Sequence, residues 1–430
     1  MAVGDHVTPV SEQTRRESWG DMVERIGAGH GGSSRTTSQV LLVLGIILIA
    51  ANLRAAITGV GPLINDICHD TGLSTTWAGM LTTLPLVAFA VVSPLAPAIA
   101  RRIGIELALG ASMGLLTVSI VMRCVTSQSG LFVGMFLAGA GIAMGNVLLP
   151  SLIKRDFPTQ VGLMTGLYSI SMNVWAAIAS GISVPIAHLA HVGWRGSMMS
   201  WAILSLVSIL IWLPQLRSRH IPQKINATVN VWRSGLAWQV TLFMGLQSFV
   251  FYVSIAWLPD ILQSRGMSET SAGWMLSLLQ FVSLPTSFIV PVIAGKRASQ
   301  RGFVGVTALL FLVGYAGLLS GINALDWLWI VLIGVAGGAA ISLALSFFGL
   351  RSRSSDEAAQ LSGMAQSIGY LLAATGPMLI GFLHNTLGSW TIPLLILMMA
   401  IVLLFTFGMG AGRDAYIRPA GASKGIHSPM

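Results

Sequence analysis

Charged side chains are scarce in this chain, and most long stretches contain none. Only 9% of the 430 residues are Asp, Glu, Lys or Arg, whereas 54% are hydrophobic. A water-soluble domain carries about 25% charged residues, so this composition excludes an ordinary soluble protein. It indicates an integral membrane protein whose apolar helices contact lipid.

The sequence also lacks the motifs of catalysis and of nucleic-acid binding. It has no phosphate-binding P-loop, no His/Cys metal spacing and no nucleophile elbow, so we predict neither an enzyme nor a cofactor. The net charge of +9 comes from Lys and Arg in short segments between apolar runs. These residues form no basic face interleaved with aromatics, so nucleic acid is not an expected partner. Membrane lipid is the expected partner, because the apolar helices contact it.

Cysteine is nearly absent. The only two, Cys68 and Cys124, fall at the same side of the predicted spans. One interpretation is a disulfide between them; the favoured one is two ordinary small residues without a bond.

Twelve apolar runs of about 20 or more residues are long enough to span a bilayer as helices. They occupy residues 39–66, 75–99, 104–123, 130–153, 162–187, 195–215, 237–262, 271–294, 302–321, 326–350, 358–384 and 389–411. We therefore predict an all-α polytopic membrane protein with two six-helix halves. The predicted parts are a flexible cytoplasmic tail at 1–38, a six-helix bundle at 39–215, a cytoplasmic linker at 216–236, a second bundle at 237–411 and a cytoplasmic tail at 412–430.

Lys and Arg are distributed unevenly between the two sides that twelve spans create. With the N-terminus inside, only Arg123, Arg195 and Arg265 fall in outward loops, and most others fall in cytoplasmic loops and tails. Short cytoplasmic loops carry an excess of Lys and Arg, so both termini are predicted to be cytoplasmic, in a bacterial inner membrane. The first span is too long for the core of a cleaved signal peptide and is expected to remain.

The two halves resemble each other at a constant offset of 194 residues. The matching pairs are Asp66/Asp260, Ile67/Ile261, Gly72/Gly266, Ser74/Ser268, Thr76/Thr270, Ala78/Ala272, Gly79/Gly273 and Pro97/Pro291. Shared polar and glycine positions without a gap argue against chance similarity between apolar helices. Two parallel repeats predict a substrate site near the bilayer midplane, between the halves.

Arg54 is the only charged residue near the middle of a predicted span. A cation at that depth costs about 2.5–3.5 kcal/mol on insertion scales and usually faces a cavity or a partner. We therefore predict that Arg54 is the main substrate contact. Other polar residues within spans complete the predicted substrate-binding set: Asn52, Thr58, Asn146, Tyr168, Asn173, Gln247, Tyr252, Gln280, Gln366 and Tyr370.

This set of guanidinium, amide and hydroxyl groups suits a small polar or anionic solute. For each amide, a hydrogen bond between helices is an equally good interpretation. The Asp, Glu and His residues of the spans all fall near their ends, so coupling through a deeply buried carboxylate is not expected. Proton movement with the substrate and facilitated diffusion both stay open.

Several strings together resemble one family. There are four such groups, one in each of four regions of the chain. The first is 51–54, Thr58 and 61–63; the second is 145–150 and 154–158; the third is 245–248, Tyr252 and 257–259; the fourth is 362–367 and 369–370. Over essentially all twelve spans the chain is similar to the cyanate-transporter-like branch of the major facilitator superfamily, and most to its 2-nitroimidazole side. The resemblance implies the major facilitator fold, alternating access, a monomer and a cyanate-like or 2-nitroimidazole-like substrate.

The chain departs from the broader superfamily in the loop after the second span. That loop usually carries an Asp ahead of its basic pair, whereas residues 97–104 keep Arg101 and Arg102 without the Asp. Gating through a salt bridge of that Asp is therefore not expected. Arg101 and Arg102 remain available to interact with helix ends.

Two other functions fit part of the sequence. Drug efflux through a greasy cavity is one alternative, in which the lining aromatics are Phe249, Phe251, Tyr252, Trp257 and Trp274. The absence of a mid-membrane carboxylate disfavours it for cationic drugs. A membrane sensor or scaffold is the other, and the short tails offer no soluble signalling domain for it.

Overall fold

The structure of the chain is a computed structural model. The structure describes residues 32–73, 75–124, 127–189, 192–217 and 231–417. Most of the predicted tails and linker lies outside these residues. The described residues from 45 to 417 belong to one compact unit.

Every regular element in the described residues is helical. The α-helices, in chain order, are α1 (Gly32–Thr58), α2 (Ile64–Thr71), α3 (Thr75–Val92), α4 (Ala96–Ile103), α5 (Ile105–Cys124), α6 (Gln128–Asp156), α7 (Val161–Leu189), α8 (Gly193–Trp212), α9 (Gly235–Ser264), α10 (Glu269–Ala294), α11 (Arg301–Leu319), α12 (Asp326–Leu350), α13 (Ser355–Leu387) and α14 (Thr391–Ala411). Short 3₁₀ turns occur at Gly61–Leu63, Leu213–Arg217, Val231–Arg233 and Asn323–Leu325.

These lengths confirm an all-α membrane protein. Among the described residues, 11 helices are long and apolar enough to cross a bilayer, and counting one bent pair as a single span gives 12. That pair corrects the predicted second span, because α3 and α4 meet at an angle of 55°. Pro94 and Pro97 lie at the bend, and proline interrupts a helix because it lacks an N–H and clashes with the preceding turn.

The predicted first span, 39–66, is also not one helix. α1 ends at Thr58, and a 3₁₀ turn at Gly61–Leu63 separates it from α2. Gly59, Gly61 and Pro62 explain the break, since glycine weakens a helix and proline cannot continue one. The break matters because Gly61 and Pro62 border the cavity described below.

One end of the bundle carries acidic residues and is called the Asp70 end. There Arg195 pairs with Asp70, and Arg265 Nη2 lies 2.8 Å from Asp326 Oδ1. The hydrogen bond from Arg195 lowers the pKa of Asp70. Arg123 differs from its predicted place in a loop: it lies in the last turn of α5, is 1% exposed and donates to the Ala56 carbonyl oxygen at 2.7 Å. Arg123 therefore caps the end of α1 from a buried position.

The two cysteines lie near the same end. Cys68 and Cys124 are both free thiols. The Sγ of Cys124 contacts the carbonyl oxygen of Arg195 at 3.3 Å. The favoured interpretation of the sequence, two small residues without a disulfide, is therefore the one that the structure contains.

The opposite end carries Arg101, Arg155, Lys296 and Arg351 and is called the Arg101 end. Arg155 Nη1 lies 2.8 Å from the buried Glu106 Oε1, which ties the end of α6 to the start of α5. Within the bundle, α5 packs along α6, α9 along α13 and α10 along α12, while α7 meets α10 and α13 meets α3 and α6. The last three contacts join the halves on either side of the cavity.

Candidate substrate-binding site

A cavity of about 340 Å³ lies between α1 and α9, the first span of each predicted half. The α1 residues that line it include Arg54 and Thr58, which are four apart and share one helix face as predicted. The Thr58 hydroxyl donates to the carbonyl oxygens of Arg54 at 3.1 Å and of Ala176 at 3.2 Å. Thr58 therefore connects α1 to α7 and shapes the wall beside Arg54.

The internal repeat brings equivalent faces of the two first spans to the cavity. Five cavity-lining residues of α1 and the turn after it each have a partner on α9 that is 194 residues later and also lines the cavity. The pairs are Leu53/Gln247, Arg54/Ser248, Ile57/Phe251, Thr58/Tyr252 and Gly61/Ile255. The repeat therefore holds in three dimensions at the site. It places a charge on one side of the cavity and an uncharged hydroxyl on the other.

Arg54 is half-buried and faces an aromatic ring. Its guanidinium carbon lies 5.4 Å from the centroid of Phe251, which is within the range of a cation–π contact. None of the described residues that line the cavity is an Asp or a Glu. A cation in such a setting attracts an anion or an electron-rich polar group.

Four amide side chains line the cavity. They belong to Asn146, Asn173, Gln247 and Gln280. Asn146 Oδ1 accepts a hydrogen bond from Tyr168 at 3.0 Å, which leaves its Nδ2 as the donor for a ligand. Asn173 Nδ2 donates to Ser287 Oγ at 2.9 Å and so joins α7 to α10 across the two halves.

Eight of the predicted site residues line the cavity: Arg54, Thr58, Asn146, Asn173, Gln247, Tyr252, Gln280 and Tyr370. The other three, Asn52, Tyr168 and Gln366, are buried outside the lining. Asn52 Nδ2 donates to Ser208 Oγ at 2.7 Å and holds α1 against α8. Tyr168 supports Asn146 from behind, and Gln366 Nε2 donates to the Asn146 carbonyl oxygen at 2.9 Å. For these three residues the geometry favours the interpretation as hydrogen bonds between helices.

The sequence reasoning missed most of the apolar lining. Phe89 contacts Tyr370 with ring centroids 4.7 Å apart, and Ile57 and Phe251 occupy equivalent repeat positions. Extending the 194-residue offset from Arg54 would have identified Ser248. Phe251, which the sequence analysis named only for the efflux alternative, is the offset partner of Ile57. The missed signal is thus the repeat combined with helical periodicity.

The aromatics of the efflux alternative are only partly in the cavity. Phe251 and Tyr252 line it. Phe249 packs toward Gly376, Trp257 Nε1 donates to the Pro377 carbonyl oxygen at 2.8 Å, and Trp274 is 71% exposed. The lining is consequently mixed, with polar groups interleaved among the aromatics.

Contacts between the halves close the cavity at the Arg101 end. Besides the Gln366 bond, Ser367 Oγ donates to the Ala90 carbonyl oxygen at 2.6 Å and Ser151 Oγ to the Ser355 carbonyl oxygen at 2.6 Å. Arg101 Nη1 lies 3.3 Å from Asp356 Oδ1 on α13. Arg101 therefore forms an ion pair across the halves, even though the loop lacks the usual Asp.

Helices α7 and α10 approach each other closely at this end. A Cβ added at Gly162 would overlap the Pro291 carbonyl oxygen and lie 2.9 Å from Gly295 Cα. A Cβ added at Gly295 would lie 2.7 Å from Gly162 Cα. Small residues at such crossings permit close packing of helix backbones in membranes.

A helical membrane protein with a polar cavity between two repeated halves has the architecture of a transporter. The model of the Major Facilitator Superfamily matches residues 42–377. The chain belongs to the Major Facilitator Superfamily and is a secondary transporter of small molecules, from a family and fold of transporters rather than enzymes.

Three curated relatives are similar over most of the chain. An uncharacterised transporter of Bacillus subtilis, YycB, is 48% identical over 87% of this chain and 94% of its own length. The 2-nitroimidazole transporter of Escherichia coli is 44% identical over 89% of this chain and 98% of its own length. The cyanate transport protein CynX of Escherichia coli is 26% identical over 81% of this chain and 91% of its own length. These relatives confirm the resemblance read from the sequence.

A solved structure confirms the fold. The Major Facilitator Superfamily transporter FucP superposes with a TM-score of 0.68 at 10% sequence identity, over 87% of this chain and 99% of FucP. At this identity the likeness shows the fold alone. The prediction of a polytopic all-α protein of the major facilitator type is thereby confirmed.

Proposed function

We propose that this transporter moves a small planar polar heteroaromatic of the 2-nitroimidazole kind, or a small cyanate-like anion, by alternating access. The observation that carries the proposal is Arg54, which faces the cavity beside Phe251. Asn146 and Gln247 add amide groups to the same space. The guanidinium attracts negative charge or a nitro group, while the aromatic ring stacks on a flat solute.

The similarity to transporters named for 2-nitroimidazole and cyanate supports this substrate class. Both compounds are small, so either fits a cavity of about 340 Å³. Both also present electron-rich atoms to a hydrogen-bond donor.

The closed Arg101 end supports alternating access. Three hydrogen bonds between the halves and the Arg101–Asp356 pair lie on this side of the cavity. By the excess of Lys and Arg, we propose that this end faces the cytoplasm of a bacterial inner membrane and that both termini are cytoplasmic. The described conformation is then closed to the cytoplasm, and transport requires these contacts to separate.

The test of the substrate class is uptake of labelled cyanate and labelled 2-nitroimidazole, in parallel, into proteoliposomes that contain the purified protein. Saturable uptake of cyanate assigns an anion site in which Arg54 pairs with a formal charge. Saturable uptake of 2-nitroimidazole alone assigns hydrogen bonds from Arg54 to the nitro group or ring. No saturable uptake of either compound contradicts the proposed substrate class while leaving the fold unchanged.

We expect Phe251→Leu to separate the two substrates. Loss of the ring removes a stacking partner, so KM for 2-nitroimidazole rises by about fivefold, whereas KM for cyanate changes by less than about twofold. The measurement is the concentration dependence of uptake for each compound. Phe281→Leu is the matched control, because Phe281 is 73% exposed on α10 and does not line the cavity. Equal changes for both substrates would show that Phe251 does not stack on the ring.

A further inference from the structure

Pro150 lies inside α6 and changes the hydrogen bonding of the residue one turn before it. In a regular helix, the carbonyl of Asn146 accepts from the N–H of residue 150. Proline has no N–H, so Pro150 leaves this acceptor without its regular partner. Asn146 is buried, and a buried carbonyl requires another donor.

Gln366 of α13 supplies that donor from the other half. Its Nε2 lies 2.9 Å from the Asn146 carbonyl oxygen and 2.8 Å from Ser362 Oγ. The side chain is 1% exposed, so this hydrogen bond is shielded from water. The sequence of α6 thus creates an acceptor that a residue from the opposite half occupies.

The bond lies directly beside the cavity. Asn146 lines the cavity, and so does Tyr370, which follows Gln366 by one helical turn. The next residue of α13, Ser367, donates to the Ala90 carbonyl oxygen, and the contacts nearer the Arg101 end are Ser151–Ser355 and Arg101–Asp356. The Gln366–Asn146 bond is therefore a contact between the halves that adjoins the cavity on its Arg101 side.

We propose that Gln366 is a positioning residue that holds the Arg101 end closed by occupying the carbonyl that Pro150 frees. This inference rests on the alternating access proposed above. When the Arg101 end opens, water reaches the Asn146 carbonyl and replaces the amide, so the bond exchanges without leaving an unpaired group. When the end closes, water is excluded and Gln366 is required.

This role differs from that of an ordinary hydrogen bond between helices. An ordinary bond stabilises every conformation in which its two helices touch. The Gln366 bond stabilises only the state closed at the Arg101 end, because its partners lie in different halves. Its loss is therefore expected to shift the equilibrium between conformations, and an N–H restored at position 150 is expected to reduce that shift.

The test measures how accessible the Arg101 end is to a thiol reagent. The background carries Cys68→Ser and Cys124→Ser, and the reporter is Val161→Cys, since Val161 is buried at the start of α7 against Gly349. We expect Gln366→Leu to raise the rate of maleimide labelling by about tenfold, because a closed state with an unpaired buried carbonyl is less populated. Adding Pro150→Ala, which restores the N–H, is expected to remove most of this increase.

Gln300→Leu is the matched control. Gln300 is also 1% exposed, and its Nε2 donates to the Ala294 carbonyl oxygen at 3.0 Å within the same half. The Gln300→Leu variant loses a buried amide without breaking a contact between the halves. Its rate of maleimide labelling at the reporter is therefore expected to match that of the background protein. A positive control is Gly295→Val, which pushes α10 away from Gly162 and exposes the reporter.

The outcomes distinguish the two proposals. Strong labelling in Gly295→Val with no increase in Gln366→Leu overturns the role of Gln366 and leaves alternating access standing. An equal increase for Gln366→Leu with and without Pro150→Ala also overturns it. A rise in the KM of uptake without a change in labelling shows that Gln366 contacts the substrate instead. Slow labelling in every variant, Gly295→Val included, contradicts alternating access itself.

Discussion

We expect the Arg54→Ala protein to lose at least about 100-fold in uptake rate at substrate concentrations below KM. The reason is that Arg54 is the one charged residue among the described residues that line the cavity. Under the proposed function, removing it eliminates the charge-assisted hydrogen bond to the substrate, which the uncharged amides of the lining do not replace. The measurement is initial uptake into proteoliposomes, with protein amount and fold checked by gel filtration and thermal unfolding.

Two further variants sharpen this result. Arg54→Lys keeps the charge but loses the planar fork of donors, so we expect KM to rise by about tenfold rather than transport to disappear. Ser248→Ala changes the equivalent position of the second repeat, on the other side of the same cavity, and is expected to alter uptake by less than about threefold. Normal uptake by a correctly folded Arg54→Ala protein would exclude Arg54 as the main substrate contact.

The second large effect is expected at the contact between α7 and α10. In Gly162→Val the new side chain meets the Pro291 carbonyl oxygen and the backbone of Gly295, so the Arg101 end no longer closes as described. A transporter that cannot close one end cannot complete a cycle. We expect uptake to fall to the background of empty liposomes, while a thiol reporter at the Arg101 end becomes permanently reactive.

Gly181→Val provides the matched control on the same helix. A Cβ at Gly181 meets no other atom within 4 Å, so its replacement leaves the packing of α7 unchanged. Uptake by this variant is expected to stay within about twofold of the unsubstituted protein. If Gly162→Val transports as well as Gly181→Val does, closure of this end does not depend on the α7–α10 contact.

The fold followed from the sequence because each span depends on local chemistry. Runs of apolar residues must be helical in a bilayer, and this requirement predicted the 11 long helices of the described residues and the bent pair that makes a twelfth span. The breaks within the first two spans were harder to predict, because the apolar run continues through Pro94 and through Gly61–Pro62 without a change in hydropathy. The bends arise from backbone geometry, which an apolar pattern alone does not report.

The residues that line the cavity were predicted in part for a related reason. A helix face is periodic, so Arg54 and Thr58 were correctly placed on the same side of α1. Whether a buried amide meets the cavity or another helix depends on tertiary packing. Asn146 and Gln366 were both predicted from the sequence to bind substrate. Only the structure places Asn146 in the cavity lining and Gln366 behind it. The proline four residues after Asn146 was the available clue.

The pairing of Arg54 with Ser248 at equivalent repeat positions has a consequence for how a substrate travels. The two halves offer matching faces, yet only the α1 side carries a charge. Under the proposed function, we expect a ligand with one electronegative group and one flat face to bind in a single orientation, with its electronegative group toward α1 and its flat face toward Phe251. We further expect the stronger attachment to Arg54 to keep the solute with the first half while the second half moves past it. A nearly symmetric bundle thereby gains a carrier side and a gating side.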